Sequence, residues 1–398
     1  MYNISQRVQS LQPSATLAMS QKSAELRAAG VDVINMSIGE PDFNTPEHIK
    51  EAAKRAIDEN YTHYAPVPGY LSLRKVICEN LKRNSGMEFT PEQIVVGNGA
   101  KHELANVVMS LINPGDEVLI PVPAWVSYVE IVKIACGVPV TVFTGIDNDF
   151  KIQPEALRAA LTPRTRLLML NSPSNPTGSI YSAEELEALA AVLRDFPDVV
   201  VLSDEIYEHI VFDGKKVSSI YHCEGMKDRT VIINGVSKAY AMTGWRIGYT
   251  AAPTAISKAV SKLQGQYTSG VSSIAMKAAE AAYDGPQECV ETMRREFERR
   301  RDLVLKLAAQ IPGWKINRPE GAFYLFPDIS QLLGKRFGDR EIRDDNDYAM
   351  YLLEEAHVAT VKGSAFSAPG YIRLSYATSE DNIREAMRRI RVATEALK

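Results

Sequence analysis

The stretch TVIINGVSKAYAMTGWRIGYT, residues 230–250, decides the fold because it contains two apolar runs, each with a cationic residue near one end. Residues 230–233 and 246–250 have the composition of buried strands. Lys238 follows the first run, and Arg246 opens the second. A buried lysine is costly unless it is paired or covalently bonded, and a guanidinium suits a phosphate. Taken alone, Lys238 is also consistent with a lysine in a surface turn.

Further apolar runs precede this stretch, and helix-like segments separate several of them. These runs lie at residues 94–96, 117–120, 138–143, 166–170 and 199–202. Apolar strands that alternate with helices predict an α/β fold whose mostly parallel sheet is covered on both faces. A smaller α+β unit is predicted by later strand-like segments, at 321–326, 358–361 and 371–376.

The length of the chain, 398 residues, exceeds what one hydrophobic core usually organises. No internal repeat and no long linker rich in glycine, serine or proline divides the sequence. We expect an N-terminal arm at 1–15 and a large domain at 46–285. A small domain would be built from both chain ends, residues 16–45 and 286–398.

Composition narrows the class of protein. Apolar residues make up 45% and charged residues 24%, and the net charge of -4 argues against nucleic acid or an anionic membrane as a partner. No apolar stretch approaches the roughly 20 residues that span a bilayer, and residues 1–20 contain no signal peptide. Neither the four scattered cysteines nor the six histidines have metal-ligand spacing, so we expect a cytoplasmic protein with reduced cysteines and no metal.

Polar residues follow several predicted strands, where ligands bind in sheets of this kind. Asp204 and Tyr207 come after one strand, and Asn175 lies in a proline-fixed loop after another. Each also has an ordinary explanation as a helix cap or a turn. The segment GNGAK at 97–101 leads into a helix and forms a generic anion site. His102 replaces the third glycine of a dinucleotide fingerprint, which argues against a dehydrogenase.

Together and in this order, the motifs resemble those of the class I/II aminotransferases that depend on pyridoxal 5'-phosphate (PLP). The resemblance is greatest to bacterial aspartate aminotransferases of the branch that includes thermophilic enzymes. It implies a fold-type-I PLP-transferase fold, with a seven-stranded sheet in the large domain. The matching segments cover nearly the whole chain: GEPDF at 39–43, YAP at 64–66, PAW at 123–125, NPTG at 175–178, SDEIY at 203–207, SKA at 237–239, GWRIG at 244–248 and RLSY at 373–376.

The resemblance also implies a role for each residue around the cofactor ring. Lys238 would bind the PLP aldehyde covalently and later move a proton, and Asp204 would keep the pyridine nitrogen protonated. Tyr207 and Asn175 would hydrogen-bond the 3-oxygen of the ring. Trp125 would stack on the ring, with simple core packing as the alternative.

The phosphate of PLP would be bound from two subunits. One subunit supplies Arg246 and the backbone N–H groups at a helix start, namely Gly99, Ala100 and Lys101. The other supplies Tyr64, which implies a homodimer with active sites at its interface. Many relatives have a phosphate-binding serine three residues before the lysine. That residue is Gly235 here, and Ser237 is the candidate to replace it.

For the substrate, the resemblance implies that Arg373 binds the α-carboxylate through both terminal nitrogens, while the Gly39 backbone, Trp125 and Asn175 lie beside it. An edge-strand charge is the alternative for Arg373. Lys101 stands where the resembling branch has a lysine that meets the distal carboxylate of acidic substrates. A phosphate contact and a surface charge are the alternatives for Lys101.

We therefore predict a homodimeric aminotransferase that works in ping-pong order. It would move the amino group reversibly between L-aspartate or L-glutamate and the acceptors 2-oxoglutarate or oxaloacetate. Gln12 stands where relatives that also act on prephenate tend to have a basic residue, which argues against that activity. The alternatives are aromatic, alanine-like or prephenate-type substrates, a PLP-dependent lyase, and a PLP-binding regulator without turnover. The arm before Gly39 is too short for the DNA-binding module of such a regulator.

Overall fold

The computed structural model describes residues 2–398, and its strands form one large sheet and three small ones. The large sheet consists of the second to the eighth strand along the chain. In chain order the strands are β1 (Ile34–Asn35), β2 (Ile94–Gly97), β3 (Glu117–Val122), β4 (Val138–Phe143), β5 (Thr165–Asn171), β6 (Val200–Asp204), β7 (Thr230–Gly235), β8 (Gly248–Ala251), β9 (Tyr324–Leu325), β10 (Arg336–Phe337), β11 (Arg340–Glu341), β12 (Val358–Ala359), β13 (Val361–Lys362) and β14 (Ile372–Ser375).

The large sheet has seven strands in the order β4-β3-β5-β6-β7-β8-β2. Strand β8 runs antiparallel to both its neighbours, and the other neighbouring pairs are parallel. All residues of β7 and β8 are buried, as expected of strands covered on both faces. The predicted α/β class with a mostly parallel seven-stranded sheet is confirmed.

Helices cover both faces of this sheet. The α-helices are α1 (Gln6–Gln9), α2 (Ala15–Ala28), α3 (Glu47–Asp58), α4 (Leu71–Ser85), α5 (Ala100–Leu111), α6 (Ser127–Ile134), α7 (Pro154–Ala160), α8 (Ala183–Leu193), α9 (Thr254–Tyr267), α10 (Ser273–Asp284), α11 (Glu288–Ala308), α12 (Asp345–Glu355) and α13 (Glu380–Glu395). Ile94 and Val96 of β2 pack among α3, α4 and α10, whereas Val95 packs on the opposite face among α5, α6 and α9.

The two ends of the chain meet in a smaller set of strands. Strand β1 pairs in parallel with β12, and β13, β14 and β9 form an antiparallel sheet. The long helix α11 packs against α13 beside them. In this way β14 carries Arg373, and β9 carries Tyr324, to the edge of the large sheet. A helix long and apolar enough to cross a bilayer does not occur within residues 2–398.

The strand predicted at 246–250 begins two residues later than expected. A short 3-10 turn at Thr243–Trp245 precedes it, and Arg246 has a φ of 56°, in the left-handed region. Strand β8 starts at Gly248, which pairs with Gly235 of β7. Arg246 therefore lies on the turn that enters the sheet, because a residue with positive φ cannot continue an extended strand.

The paired glycines of β7 and β8 bring three backbone segments together. A Cβ on Gly235 would lie 2.7 Å from the Cα of Gly248, and a Cβ on Gly248 would overlap the backbone nitrogen of Ala100. Ala100 begins α5 and follows Gly99, whose φ is 88°. The start of α5 therefore rests directly on the sheet. The same close packing explains why a serine does not fit at position 235.

Replacing Gly248 by alanine should force the start of α5 away from β8. We expect Gly248→Ala to lower the free energy of unfolding by about 1–3 kcal/mol, the usual cost of overpacking. Gly145→Ala is the matched control, because its φ is −86° and the nearest atom lies 3.9 Å from the added Cβ. Urea unfolding measures both, and an equal effect of the two substitutions would contradict this packing.

Candidate active site

A cavity of about 400 Å³ opens at the carboxyl ends of the parallel strands β5, β6 and β7. Residues of β9, β14 and the segment 38–40 complete its wall. Gly99 and Tyr64, which the sequence predicted to belong to the site, do not line it. The predicted site residues that do line it are Gly39, Ala100, Lys101, Trp125, Asn175, Asp204, Tyr207, Ser237, Lys238, Arg246 and Arg373.

Lys238 follows β7 and has an environment that favours the neutral amine. Its Nζ donates a hydrogen bond to the Gly39 carbonyl oxygen at 2.6 Å. Burial lowers the pKa of Lys238 to about 8, and Glu40 partly offsets this effect. The positive charges of Arg373 and Arg246 contribute to this lowering of the pKa, and Asp204 opposes it. A lysine with this pKa is a competent nucleophile and proton carrier near neutral pH.

Asp204 ends β6 and is held by hydrogen bonds to its carboxylate. The Tyr128 hydroxyl donates to Oδ2 at 2.7 Å, and the backbone N–H of Ile206 donates to Oδ1 at 3.2 Å. Burial raises the pKa of Asp204 to about 6, although the Tyr128 hydrogen bond and Lys238 lower it. Above that pH the carboxylate is ionised, and it can hold a proton on a ring nitrogen.

Arg373 is a buried cation that lacks an anionic partner. The residue is 2% exposed, and its guanidinium donates to the Ser37 carbonyl oxygen at 2.6 Å and to Asn175 Oδ1 at 3.1 Å. The rings of Tyr324 and Phe366 lie 4.6 and 5.0 Å from its central carbon. Within residues 2–398 no carboxylate lies within 4 Å of it, and its Nε has no hydrogen-bond partner. Such a group is suited to bind a carboxylate that enters the cavity.

A second cationic region surrounds the start of α5. Arg246 donates from Nη1 to the Thr243 carbonyl oxygen at 2.8 Å and from Nη2 to the Asn98 carbonyl oxygen at 3.3 Å. A Cβ on Gly99 would overlap the Arg246 guanidinium, so the two residues are in contact. Within residues 2–398 no side chain caps the first N–H groups of α5. Free N–H groups at a helix start, with a guanidinium beside them, bind phosphate.

Lys101 and Tyr207 are the remaining ionisable groups predicted from the sequence. The Nζ of Lys101 lies 4.8 Å from the centre of the Trp125 ring. Burial lowers the pKa of Lys101, and Arg246 lowers it further. Tyr207 is 3% exposed, and its hydroxyl forms a 2.7 Å hydrogen bond with the Tyr324 hydroxyl.

Tyr64 lies apart from the cavity in the single chain. Its side chain is 98% exposed, on the loop between α3 and α4. A large aromatic side chain this exposed is unusual for a protein surface and is available to another chain.

Three residues that the sequence analysis did not select contribute to the site. Tyr128 binds Asp204, Tyr324 binds Tyr207, and Glu40 acts on Lys238. Tyr128 stands three residues after Trp125, and their rings meet edge to face at 5.6 Å, so helical spacing offered a weak signal. Nothing in the local sequence marks Tyr324, because its partners come from distant segments.

The cavity has the features that PLP requires. Four cations line it, namely Lys101, Lys238, Arg246 and Arg373, against the two carboxylates of Glu40 and Asp204. The cations outnumber the carboxylates, and the charge of the buried Arg373 is costly unless an anionic ligand compensates it. An uncapped helix start suits the phosphate, Asp204 suits the ring nitrogen, and Lys238 suits the aldehyde. The residues present therefore fit this cofactor.

The fold and this cavity define a PLP-dependent enzyme of a known class. A family model described as aminotransferase class I and II matches residues 31–390, and the chain belongs to that family. The enzymes of this family depend on PLP and transfer amino groups between amino acids and 2-oxo acids. The resemblance drawn from the motifs, and the aminotransferase activity it implied, are confirmed.

The similarity to named relatives extends over nearly the whole chain. An aspartate/prephenate aminotransferase from Nitrosomonas europaea is 49% identical over 97% of this chain and 98% of its own. An aspartate aminotransferase from Geobacillus stearothermophilus is 49% identical over 99% of both chains. The solved aspartate aminotransferase from Rhizobium meliloti is 44% identical over 100% of both chains, with a TM-score of 0.97. These three proteins are similar to this one in length, and the Rhizobium enzyme is also similar in fold.

Removing the charge of Glu40 should change the titration of Lys238. Glu40 stabilises the ammonium form, so Glu40→Gln should lower the pKa of Lys238 below about 8. The pH dependence of the rate at which the cofactor-free protein takes up added PLP reports this pKa, because the neutral amine is the reacting form. Glu51→Gln, on the surface of α3, is the control. An unchanged or higher pKa in Glu40→Gln would contradict the assignment.

Proposed function

We propose that this aminotransferase acts on dicarboxylic substrates, moving the amino group of L-aspartate or L-glutamate to 2-oxoglutarate or oxaloacetate. One observation carries the proposal: two cations line the cavity without a carboxylate partner in residues 2–398, the buried Arg373 and the more exposed Lys101. Arg373 is assigned to the α-carboxylate and Lys101 to the distal carboxylate. The names of the relatives from Nitrosomonas and Geobacillus, which both include aspartate, support the same substrate class.

Prephenate is a second candidate acceptor, because the Nitrosomonas relative is named for it. Gln12 lines a neighbouring cavity of about 700 Å³ that shares Ser14 and Trp125 with the site. Lys22 and Lys362 also line that cavity, so a larger dicarboxylate would still meet positive charge there. The expectation drawn from Gln12, that prephenate is a poor substrate, stays a prediction.

When bound, PLP supplies a carbon that takes up the amino group and a conjugated ring that accepts the electrons left when the substrate loses its α-proton. Lys238 Nζ would hold the cofactor in the resting enzyme, and its free amine would carry the proton removed from the substrate. The Asp204 carboxylate holds the proton on the ring nitrogen. Tyr207 and Asn175 would orient the ring through its 3-oxygen, and Trp125 would pack on its face and against the substrate.

The phosphate is assigned to the cationic region at the start of α5. Arg246 and the N–H groups of Gly99, Ala100 and Lys101 would bind it, as the uncapped helix start supports. Ser237 lines the same cavity and is 7% exposed, so its hydroxyl is available as a further donor. The Gly39 backbone, whose carbonyl oxygen contacts Lys238, would cover the substrate carboxylate.

The working enzyme is proposed to be a homodimer. Tyr64 is assigned to the phosphate of the neighbouring subunit, which agrees with its full exposure in the single chain. The domain boundaries proposed from the sequence, with residues 16–45 and 286–398 forming one unit, agree with the pairing of β1 and β12. Arg373 belongs to that unit and Lys238 to the other, so motion between the units would adjust the substrate site.

The substrate assignment predicts a charge-specific effect of Lys101. Lys101→Met should lower kcat/KM for aspartate and glutamate by about 30- to 1000-fold, since it leaves a buried carboxylate unpaired. The kcat/KM for phenylalanine or alanine should change little. Half-reactions of the PLP-loaded enzyme with single amino acids, followed by the absorbance of the bound cofactor, measure this. Lys133→Met, in the neighbouring cavity, is the control. An equal loss for all amino acids would contradict the assignment.

The dimer assignment predicts complementation between two variants. Tyr64→Phe should weaken PLP binding by about 10-fold or more, because it removes a hydrogen bond to a charged group. Lys238→Ala should abolish covalent binding. A mixed dimer of the two variants has one site with both residues native, so mixing should restore tight PLP binding at that site. Fluorescence titration with PLP checks this result. No restoration in a dimer shown to be mixed would contradict the role of Tyr64.

A further inference from the structure

Tyr324, on β9, contacts three parts of the proposed site at once. Its hydroxyl forms the 2.7 Å hydrogen bond with Tyr207, and its ring lies 4.6 Å from the central carbon of Arg373. A Cβ on Gly39 would overlap the same hydroxyl, so the Gly39 backbone lies directly against it. Tyr324 is fully buried from bulk solvent but lines the cavity.

The hydroxyl protons of the two phenols determine which hydrogen-bond donor the cavity offers to a ligand. Tyr207 and Tyr324 each have one hydroxyl proton, and the hydrogen bond between them uses one of the two. Within residues 2–398 neither hydroxyl has a second hydrogen-bond partner. Both residues line the cavity, so the second proton is available to a bound group. The direction of the hydrogen bond determines which tyrosine offers that proton.

The surroundings favour Tyr324 as the donor. The positive charge of Arg373 lies over the Tyr324 ring and stabilises negative charge on its oxygen, which makes this phenol the better donor. Burial raises the pKa of Tyr324, and Arg373 is the main group that opposes the rise. Burial also raises the pKa of Tyr207. There the neighbouring Tyr324 adds to the rise, and Arg373 opposes it with a smaller effect than that of Tyr324.

We propose that Tyr324 is a positioning residue. Its hydroxyl donates a hydrogen bond to the Tyr207 hydroxyl, which directs the proton of Tyr207 toward the 3-oxygen of the cofactor. The ring of Tyr324 supports Arg373. The inference rests on the proposed function, which places Tyr207 against that oxygen. One side chain thereby couples the residue that orients the cofactor to the residue that binds the substrate carboxylate.

The hydroxyl is tested by the pH titration of the cofactor absorbance. A hydrogen bond to the 3-oxygen stabilises its negative charge and so lowers the pKa of the nitrogen that joins Lys238 to the cofactor. Tyr207→Phe should raise that pKa. Tyr324→Phe, which keeps the ring, should raise it by a smaller amount, about 0.5, since it only weakens the hydrogen bond made by Tyr207. In the double variant Tyr324→Phe should add nothing.

The ring is tested by binding of succinate, an unreactive dicarboxylate, to the PLP-loaded enzyme. Tyr324→Leu should weaken it by about 3- to 30-fold, through loss of the ring over Arg373. Tyr324→Phe should leave it unchanged. Tyr351→Phe is the control for losing a buried hydroxyl, because Tyr351 donates to the Ala393 carbonyl oxygen at 2.8 Å, away from the cavity. It should leave both the pKa and succinate binding unchanged.

The outcomes separate this inference from the function on which it rests. A higher pKa in Tyr324→Phe that disappears in the Tyr207→Phe background supports the inference. If Tyr207→Phe raises the pKa and Tyr324→Phe does not, the inference is overturned and the role of Tyr207 stands. If neither variant changes the pKa, both are overturned. Thermal unfolding of each holoenzyme shows whether Tyr324→Phe is folded. We expect it to fold, because replacing tyrosine by phenylalanine nearly conserves the side-chain volume.

Discussion

The site depends on the buried guanidinium of Arg373 and on the hydrogen bonds that hold it. A charge this deep in a protein is tolerated only with hydrogen bonds and, in most cases, with an opposite charge. Here the protein supplies two carbonyl-type acceptors, from Ser37 and Asn175, and two aromatic faces, but no carboxylate within the part of the chain that the structure describes. We propose that a ligand carboxylate completes the set. The affinity for an acidic ligand is thus built into the resting protein.

The same reasoning applies to the cofactor end of the cavity. Lys238 and Arg246 add to the positive charge, and the start of α5 adds free N–H groups. That helix reaches the site because Gly235 and Gly248 allow backbone to pack against backbone. The position of α5 is therefore a consequence of this close packing, whereas the lowered pKa of Lys238 follows mainly from its burial.

Much of this arrangement could be predicted from the sequence, because it is encoded locally. The apolar runs located the strands, and motifs such as SKA at 237–239 located the residues at their ends. The start of β8 was predicted too early, since apolar composition does not reveal the positive φ of Arg246. The contacts of Tyr128 and Tyr324 were not foreseen, because each joins segments more than 70 residues apart in the chain. The exposure of Tyr64 likewise has no local sequence signal.

The most direct measurement is chemical mapping of the cofactor attachment. The PLP-loaded enzyme would be reduced with borohydride, digested and analysed by mass spectrometry. The account predicts one modified peptide per chain, with the reduced PLP group on Lys238. Modification of Lys101 or of surface lysines instead, with Lys238 unmodified, would contradict the central claim that the cavity holds its cofactor through Lys238.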